Sequence, residues 1–276
     1  MASKGCSLPR KIRNLLIVGA VASMLVPSAM AQSVHVSPRN FDNAVVEVVK
    51  PRFADGGTSF LTAAYSASYH FGVGPTGRVF LTASLPFSHT GFDGSDAETA
   101  LGNPYLGVTL FSKRDPVVYE FGVRLPVASD NPGQIAGLFG DYDRFEGYQP
   151  DLLSFKTSLI YFPSRSGDWV MFTRISPLLA ITTGQTGSEA RGELYADYSV
   201  HFFYYGKAIQ GGLGLTGRAI VTEDGSFAER TSHHVGFEIQ KDLGSIIPGI
   251  QFRLPIDSDI RDVVDYVFGL TIVVPT

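Results

Sequence analysis

Cysteine, charge and long apolar runs are all scarce in this sequence, and each scarcity excludes a class of protein. Its one cysteine, Cys6, lies near the amino terminus, so the rest of the chain can form no disulfide, thiol nucleophile or thiolate metal site. Charged residues make up 17% of the chain, below the ~25% usual in soluble domains. No apolar run reaches the roughly 18 residues of a transmembrane helix. Hydrophobic residues nevertheless make up 44% of the chain, so a large apolar surface remains to be covered.

The amino terminus predicts a secretory signal peptide. Four basic residues come first, an apolar segment spans residues 15–27, and Ala29-Met30-Ala31 offers a small-x-small cleavage site. The apolar segment is too short to cross ~30 Å of hydrocarbon as a helix. We therefore expect residues 1–31 to be a cleaved signal peptide and residues 32–276 to be an exported domain. Loss of the four basic residues moves the formal charge from -4 to about -8, which argues against a nucleic-acid partner.

Strict alternation of apolar and polar residues predicts β-strands along the whole exported domain. The clearest hairpin joins residues 59–72 to residues 78–88 through the turn Gly74-Pro75-Thr76-Gly77. Twelve strands are predicted at residues 43–53, 59–72, 78–88, 101–112, 117–127, 152–162, 169–181, 190–205, 209–222, 231–242, 249–257 and 263–274. Short turns alternate with longer polar connections, which is typical of a transmembrane antiparallel up-and-down β-barrel with both termini on the periplasmic side.

A soluble β-sandwich is the alternative, but it would need fewer and shorter strands. We therefore predict an all-β barrel in the outer membrane of a Gram-negative bacterium, with outer-membrane lipid against its apolar face. Aromatic residues support this placement because they fall where the strands meet the periplasmic turns, at lipid headgroup level. These residues are Phe71, Phe111, Tyr161, Trp169 and Tyr204.

The opposite face of each strand should line the lumen, and it carries charges of both signs. The candidate lumen residues are Glu120, Arg124, Lys156, Arg174, Glu193, Asp197, His201, Arg218, Glu238, Arg253 and Asp265, with Glu47 on the first strand. Twelve strands enclose more space than eight, which side chains fill, and less than the 16–18 of open porins. Opposite charges in such a lumen should pair, because a lone buried charge is costly. Two interpretations stay open: a narrow path for a small solute, and a structural network that plugs the barrel.

Short motifs in the first half of the domain resemble the MetA-pathway of phenol degradation family. They are Leu85-Pro86-Phe87, the Gly102-Asn103-Pro104-Tyr105 opening of the next strand, and Phe121-Gly122-Val123-Arg124-Leu125-Pro126. The resemblance runs from about Val79 to Val127, with a weaker echo at Arg253 to Ile256. It implies an outer-membrane barrel that helps hydrophobic or aromatic substrates cross the membrane. Since proline lacks the N–H of a central ladder, the Leu-Pro pairs mark either a rim where outer loops could fold inward or simply the ends of the strands.

The favoured function is a narrow channel or transporter for small solutes, aromatic or otherwise hydrophobic, without enzymatic activity, metal or other cofactor. One alternative is a closed structural or adhesive barrel that binds a partner through its acidic outer loops, chiefly the loop from Ala128 to Asp151. Another is a lipid hydrolase built on Ser232-His233-His234, although alternation directs the two histidines to opposite faces. The loop acids are expected to be solvated. The sequence leaves the oligomeric state open.

Overall fold

The computed structural model describes residues 42–276, except residues 55, 57, 93–95, 114–115, 184–191 and 225. The predicted signal peptide lies outside these residues. The strands are β1 (Asn43–Phe53), β2 (Ala63–Val73), β3 (Val79–Thr90), β4 (Glu98–Leu101), β5 (Tyr105–Phe111), β6 (Val117–Arg124), β7 (Leu152–Ser166), β8 (Trp169–Thr182), β9 (Gly192–Tyr205), β10 (Ile209–Ile220), β11 (Thr231–Lys241), β12 (Ile247–Pro255) and β13 (Val264–Pro275). They follow the predicted segments closely because the hydrophobic alternation of each strand sets its face and its length.

The strands form one closed antiparallel sheet. Apart from β4 and β5, each strand pairs with its neighbour in sequence, and β1 closes the barrel by pairing with both β2 and β13. Strands β4 and β5 both pair with β3, so together they occupy one position of the barrel. They are separated at Gly102-Asn103-Pro104, where the chain leaves the ladder. The predicted twelve-strand up-and-down barrel is therefore confirmed.

The two ends of the barrel differ in their connections. At the end that we call the turn end, the connections are residues 74–78, 112–116, 167–168, 206–208 and 242–246. At the opposite, loop end they are residues 54–62, 91–97, 125–151, 183–191, 221–230 and 256–263. The short helices α1 (Ile135–Gly140), α2 (Phe227–Arg230) and α3 (Ser258–Arg261) all lie in loop-end connections. None of the helices in the described residues is long and apolar enough to cross a bilayer.

The barrel presents its apolar side chains outward and buries its polar ones. On β9, Asp197, Ser199 and His201 are buried, while Phe202 is 51% exposed. The same pattern, with polar side chains buried and apolar ones exposed, recurs on β3, β6, β7, β11 and β12. It is the reverse of the pattern in a soluble protein. An apolar surface that covers a whole barrel is stable in contact with lipid, whereas in contact with water it would drive aggregation. This wall therefore belongs in a membrane.

One predicted lumen residue, Asp265, is exposed, and that prediction is wrong. The pairing of β1 with β13 shifts register between Arg52 and Phe53, which face Tyr266 and Val264 respectively. Asp265 is left over as the extra residue of a β-bulge, so the alternation of β13 slips by one position. Val264, which alternation alone placed in the lipid, is instead fully buried.

Apolar side chains also gather inside the barrel near its turn end. Phe80, Phe111, Val118, Ile160 and Phe172 form a buried cluster there, with the rings of Phe80 and Phe111 5.5 Å apart. Phe111 had been expected at the lipid surface, and the structure turns it inward. The cluster therefore narrows the end of the lumen opposite the long loops.

Candidate functional site

The loop between β6 and β7 folds into the barrel, and we call its residues 131–149 the plug. The side chain of Asn131 accepts a 2.6 Å hydrogen bond from Gly133 N–H and caps a 3-10 turn that begins at Pro132. Helix α1 follows, and then a second 3-10 turn from Tyr142 to Gly147. This compact structure buries three acidic side chains of the plug, Asp141, Asp143 and Glu146. The prediction that these loop acids are solvated is therefore wrong.

One side of the plug is anchored by apolar packing. Ile135, Leu138 and Phe139 of α1 pack with Tyr142 on a buried cluster of the barrel wall. The wall residues of this cluster are Val49, Phe53, Ala64, Val264 and Val267. Since β1, β2 and β13 are neighbours in the barrel, the anchor lies on one sector of the wall.

Asn103, in the segment between β4 and β5, binds the backbone of the plug. We call this contact the clasp. The side-chain amide of Asn103 donates to the carbonyls of Glu146 at 2.9 Å and Gln149 at 2.7 Å, while its oxygen accepts from Val127 and Ala128 N–H at 2.8 Å. All four bonds are made by one fully buried side chain. At the preceding position, a Cβ on Gly102 would overlap the Gly147 carbonyl oxygen, so the close approach requires glycine.

Arg253 of β12, the strand next to β13, joins the plug to the wall through a first group of charges. Its guanidinium lies 3.3 Å from Asp141, 3.3 Å from Asp143 and 3.4 Å from Glu47 of β1, and the side chain is fully buried. Arg144 of the plug contacts Glu47 and lies 2.7 Å from Asp141. Two arginines thus offset two of the three carboxylate charges in a region from which water is largely excluded.

Arg218 of β10 organises a second group of charges beside the first. Its Nε lies 2.6 Å from Asp197 Oδ1 of β9, and its Nη2 lies 3.5 Å from Glu146 of the plug. Lys156 of β7 lies 3.2 Å from Asp197, and Arg124 of β6 lies 3.4 Å from Glu146. The plug therefore contributes acids to both groups, and the wall contributes most of the bases.

His234 of β11 completes the contacts of Asp143. Its Nε2 lies 3.1 Å from Asp143 Oδ2, and its ring meets the ring of Tyr142 edge-on at 4.9 Å. Burial alone would raise the pKa of Asp143, but His234, Arg253 and Arg218 outweigh it and lower the pKa to about 2. Asp143 is therefore charged, and it ties the plug to three separate strands.

The remaining predicted lumen residues lie on the inward side of their strands. Glu120 and Arg174 form a pair on the wall at 3.5 Å, and the ring of His201 stacks on Phe172 at 4.6 Å. Glu238 is buried and accepts a 2.6 Å hydrogen bond from Gln240, whereas Glu193 near the loop end accepts one from Tyr195. The structure thus brings Arg124, Lys156, Asp197, Arg218 and Arg253 together around the plug and leaves the other five on the wall.

The sequence analysis did not identify the residues that hold the plug in the barrel. Asn103, Asp141, Asp143 and Glu146 were noted only as parts of a strand motif or of an acidic loop, and Arg144 was not noted. The available signal was Asn103 itself, since asparagine is depleted from strands and favoured where side chains bond to backbone.

Ser232, His233 and His234, the residues of the hydrolase hypothesis, do not come together in one site. Ser232 and His234 both face the small space beside Asp143, whereas His233 lies on the opposite face and contacts Asp257 at 3.2 Å. Among the described residues, no group of three His, Cys, Asp or Glu side chains is placed to hold a metal ion.

Comparison with known proteins shows the fold. No family model and no curated protein matches this chain. An outer-membrane channel from Pseudomonas putida F1 has a similar structure, with a TM-score of 0.61 and 12% identity over 90% of this chain and 100% of that one. The translocator domain of the autotransporter NalP from Neisseria meningitidis has a TM-score of 0.53 and 8% identity over 96% and 94%. LpxR from Salmonella typhimurium has a TM-score of 0.50 and 9% identity over 85% and 100%.

The fold and the site together define a class: this is a twelve-strand barrel of the outer-membrane type. Within that class it is a barrel whose lumen is polar, charged and filled at the loop end by one of its own loops.

Proposed function

We propose that the protein is an outer-membrane channel for small solutes and that the plug is its gate. The observation that carries this proposal is the way the plug is held. Its apolar anchor lies on β1, β2 and β13, whereas charged contacts hold it along the neighbouring strands β12, β11 and β10, through Arg253, His234 and Arg218, and as far as Arg124 of β6. Buried ion pairs add little net stability, because desolvation of the charges offsets their attraction. The charged contacts can therefore release into a hydrated lumen, and the plug, α1 included, can then move away from the wall.

The wall beyond the plug supports a path for solutes. Glu120, Ser158, Ser176 and Ser199 are inward-facing and buried within the barrel. A barrel with only a structural role has no need of polar side chains along this sector, since apolar ones would pack at lower cost. We take the predicted lumen residues, without Asp265, as the lining of this path.

The cargo that we propose is a small hydrophobic or aromatic solute. The resemblance of the Leu-Pro and Gly-Asn-Pro motifs to the MetA-pathway of phenol degradation family supports this class. The aromatic cluster around Phe80, Phe111 and Phe172 also supports it, because apolar rings at the turn end favour a solute that can shed its water. We further propose that residues 1–31 direct export and are cleaved, and that the protein has no enzymatic activity. The acidic-loop adhesion hypothesis loses its main support because Asp141, Asp143 and Glu146 lie inside the barrel.

A reversible disulfide between the plug and the wall tests the gate. Ala136 N–H donates to Thr90 Oγ1 at 2.9 Å, so cysteines at these two positions lie within disulfide reach. The double variant Thr90→Cys/Ala136→Cys should show no openings in planar bilayers when oxidised, and openings should return after reduction. Because the exported domain contains no other cysteine, the new bond is the only one that the reductant can break.

The single variant Thr90→Cys is the matched control, since it removes the same hydroxyl but cannot form the bond. Its conductance should not respond to reductant. If the oxidised double variant, with its disulfide verified by mass, conducts as well as the reduced one, the plug is not the gate. If neither form conducts nor speeds entry of any small solute into liposomes, the channel function itself is wrong.

A further inference from the structure

Two adjacent residues of the plug, Phe145 and Glu146, occupy a site on the wall that holds an aromatic ring beside a carboxylate. The ring of Phe145 lies 5.3 Å from the ring of Tyr195, and the guanidinium of Arg218 lies over it at 4.5 Å. The carboxylate of Glu146 lies 3.5 Å from Arg218 Nη2 and 3.4 Å from Arg124 Nε. The apolar wall around the ring consists of Leu152, Leu178, Ala180, Tyr195 and Ile220. The wall therefore contacts this part of the plug as it would contact an aromatic carboxylate.

Residues of the barrel itself orient both arginines. Arg218 Nε donates to Asp197 Oδ1 at 2.6 Å. The guanidinium of Arg124 lies over the ring of Tyr105 at 5.2 Å, and its Nη1 donates to the backbone carbonyl of Asn103 at 3.2 Å. Both guanidiniums therefore keep their orientation when the plug withdraws, and an oriented guanidinium binds a carboxylate at a lower entropic cost.

Glu146 does not make full use of these arginines. Its two ion-pair distances are 3.4 and 3.5 Å, whereas a guanidinium nitrogen and a carboxylate oxygen in a strong hydrogen bond are ~2.7–2.9 Å apart. Among the described residues, none donates a hydrogen bond to Glu146 Oε2, although the side chain is buried. The backbone of Glu146 is held by Asn103, which limits where its carboxylate can reach. A free carboxylate has no such tether and can approach both arginines more closely.

The charge of the wall at this site also favours an anion. The second group of charges contains three wall bases, Arg124, Lys156 and Arg218, and one wall acid, Asp197. Glu146 offsets one of the two excess positive charges, and its departure with the plug leaves both. Excess positive charge in a narrow lumen raises the local concentration of anions.

We propose that this site binds a small aromatic carboxylate, which takes the place of Phe145 and Glu146 and thereby displaces the plug. The inference rests on the proposed function and narrows its aromatic cargo to one that carries a carboxylate. The ring of the ligand packs between Tyr195 and Arg218, and its carboxylate binds Arg124 and Arg218. The ligand binds only the state in which the plug has left the site, so it shifts the equilibrium toward that state.

Direct binding tests the site. The double variant Phe145→Ala/Glu146→Ala, which we call the vacated variant, removes the ring and the carboxylate of the plug. Binding of 3-phenylpropanoate and of 3-phenylpropanamide to the folded barrel in detergent is measured by equilibrium dialysis. The amide has the same ring and a similar shape but no charge, so we expect the acid to bind about tenfold more tightly. Propanoate, which lacks the ring, should also bind about tenfold more weakly than the acid.

Two further substitutions in the vacated variant locate the carboxylate. Arg124→Met should abolish the preference for the acid. Arg52→Met is the matched control, because Arg52 is an exposed arginine of β1, and it should keep the preference. Folding of every variant is checked by its heat-modifiable mobility. The proposal is overturned if the vacated variant binds acid and amide equally, or if Arg52→Met loses the preference as fully as Arg124→Met.

Displacement of the plug is tested by the rate of disulfide formation in Thr90→Cys/Ala136→Cys, which keeps Phe145 and Glu146. Only the plugged state can form the bond, so 3-phenylpropanoate should slow the reaction by about twofold or more and the amide should not. An unchanged rate overturns the proposal. Neither measurement needs conductance. A protein that passes both but never conducts would refute the channel and leave the ligand site, whereas one that opens on reduction of the disulfide but binds no acid would refute only this inference.

Discussion

Removal of Arg253 should release the plug. Its guanidinium is fully buried and lies within 3.4 Å of Asp141, Asp143 and Glu47. Arg253→Met keeps the length of the side chain but leaves the two plug carboxylates without this partner. Removal of one member of a buried ion pair typically costs 3–5 kcal/mol, because the other charge stays buried. Arg144 and His234 still contact these acids, so we take the lower value, about 3 kcal/mol.

This energy favours the state in which the plug acids reach water. A change of about 3 kcal/mol shifts a two-state equilibrium by roughly 100-fold. We therefore expect the open probability of single channels in planar bilayers to rise by about two orders of magnitude in Arg253→Met, up to saturation.

Arg174→Met is the control for this experiment. It removes the same charge from the barrel interior, but the carboxylate partner of Arg174 is Glu120 of the wall, at 3.5 Å. We expect an altered ion selectivity in this variant and an unchanged open probability. If Arg253→Met folds normally and opens no more often than the wild type, Arg253 does not hold the gate. If Arg174→Met opens as often as Arg253→Met, the effect comes from lost charge and not from the plug.

Three further predictions concern the clasp, the charge network and the bulge. Asn103→Ala deletes four hydrogen bonds to the plug and its flanks and should raise open probability by at least tenfold, with the barrel's own heat-modifiable mobility unchanged. Because the pKa of Asp143 in the plug is lowered to about 2, its contribution of about 2 kcal/mol is present above pH 4 and is lost as the pH falls toward 2. Open probability should therefore rise over that interval, and in Asp143→Asn it should be high already at neutral pH. Asp265→Asn should leave conductance and selectivity unchanged, whereas a lumen role for Asp265 would alter the selectivity.

Particular residues explain why so much of the barrel could be predicted. Each strand alternates with a period of two, and one of its faces must meet lipid, so a run such as residues 193–204 has only one acceptable orientation. The same rule placed Arg124, Lys156, Asp197, Arg218 and Arg253 inside. It failed at Asp265 because one extra residue in a bulge reverses the faces, and no local pattern announces a bulge.

The plug shows the same limit. The acids of residues 141–146 resemble those of any solvated loop, and their burial depends on arginines contributed by distant strands.

The amino-acid sequence by itself determined the lipid-facing wall, the number of strands and the charged character of the lumen, because these follow from side-chain periodicity within single strands. The closed state of that lumen was decided only by the tertiary structure. A loop enters the barrel when the closed sheet places Asn103, Arg218 and Arg253 around one space, and that arrangement is a property of all the strands together.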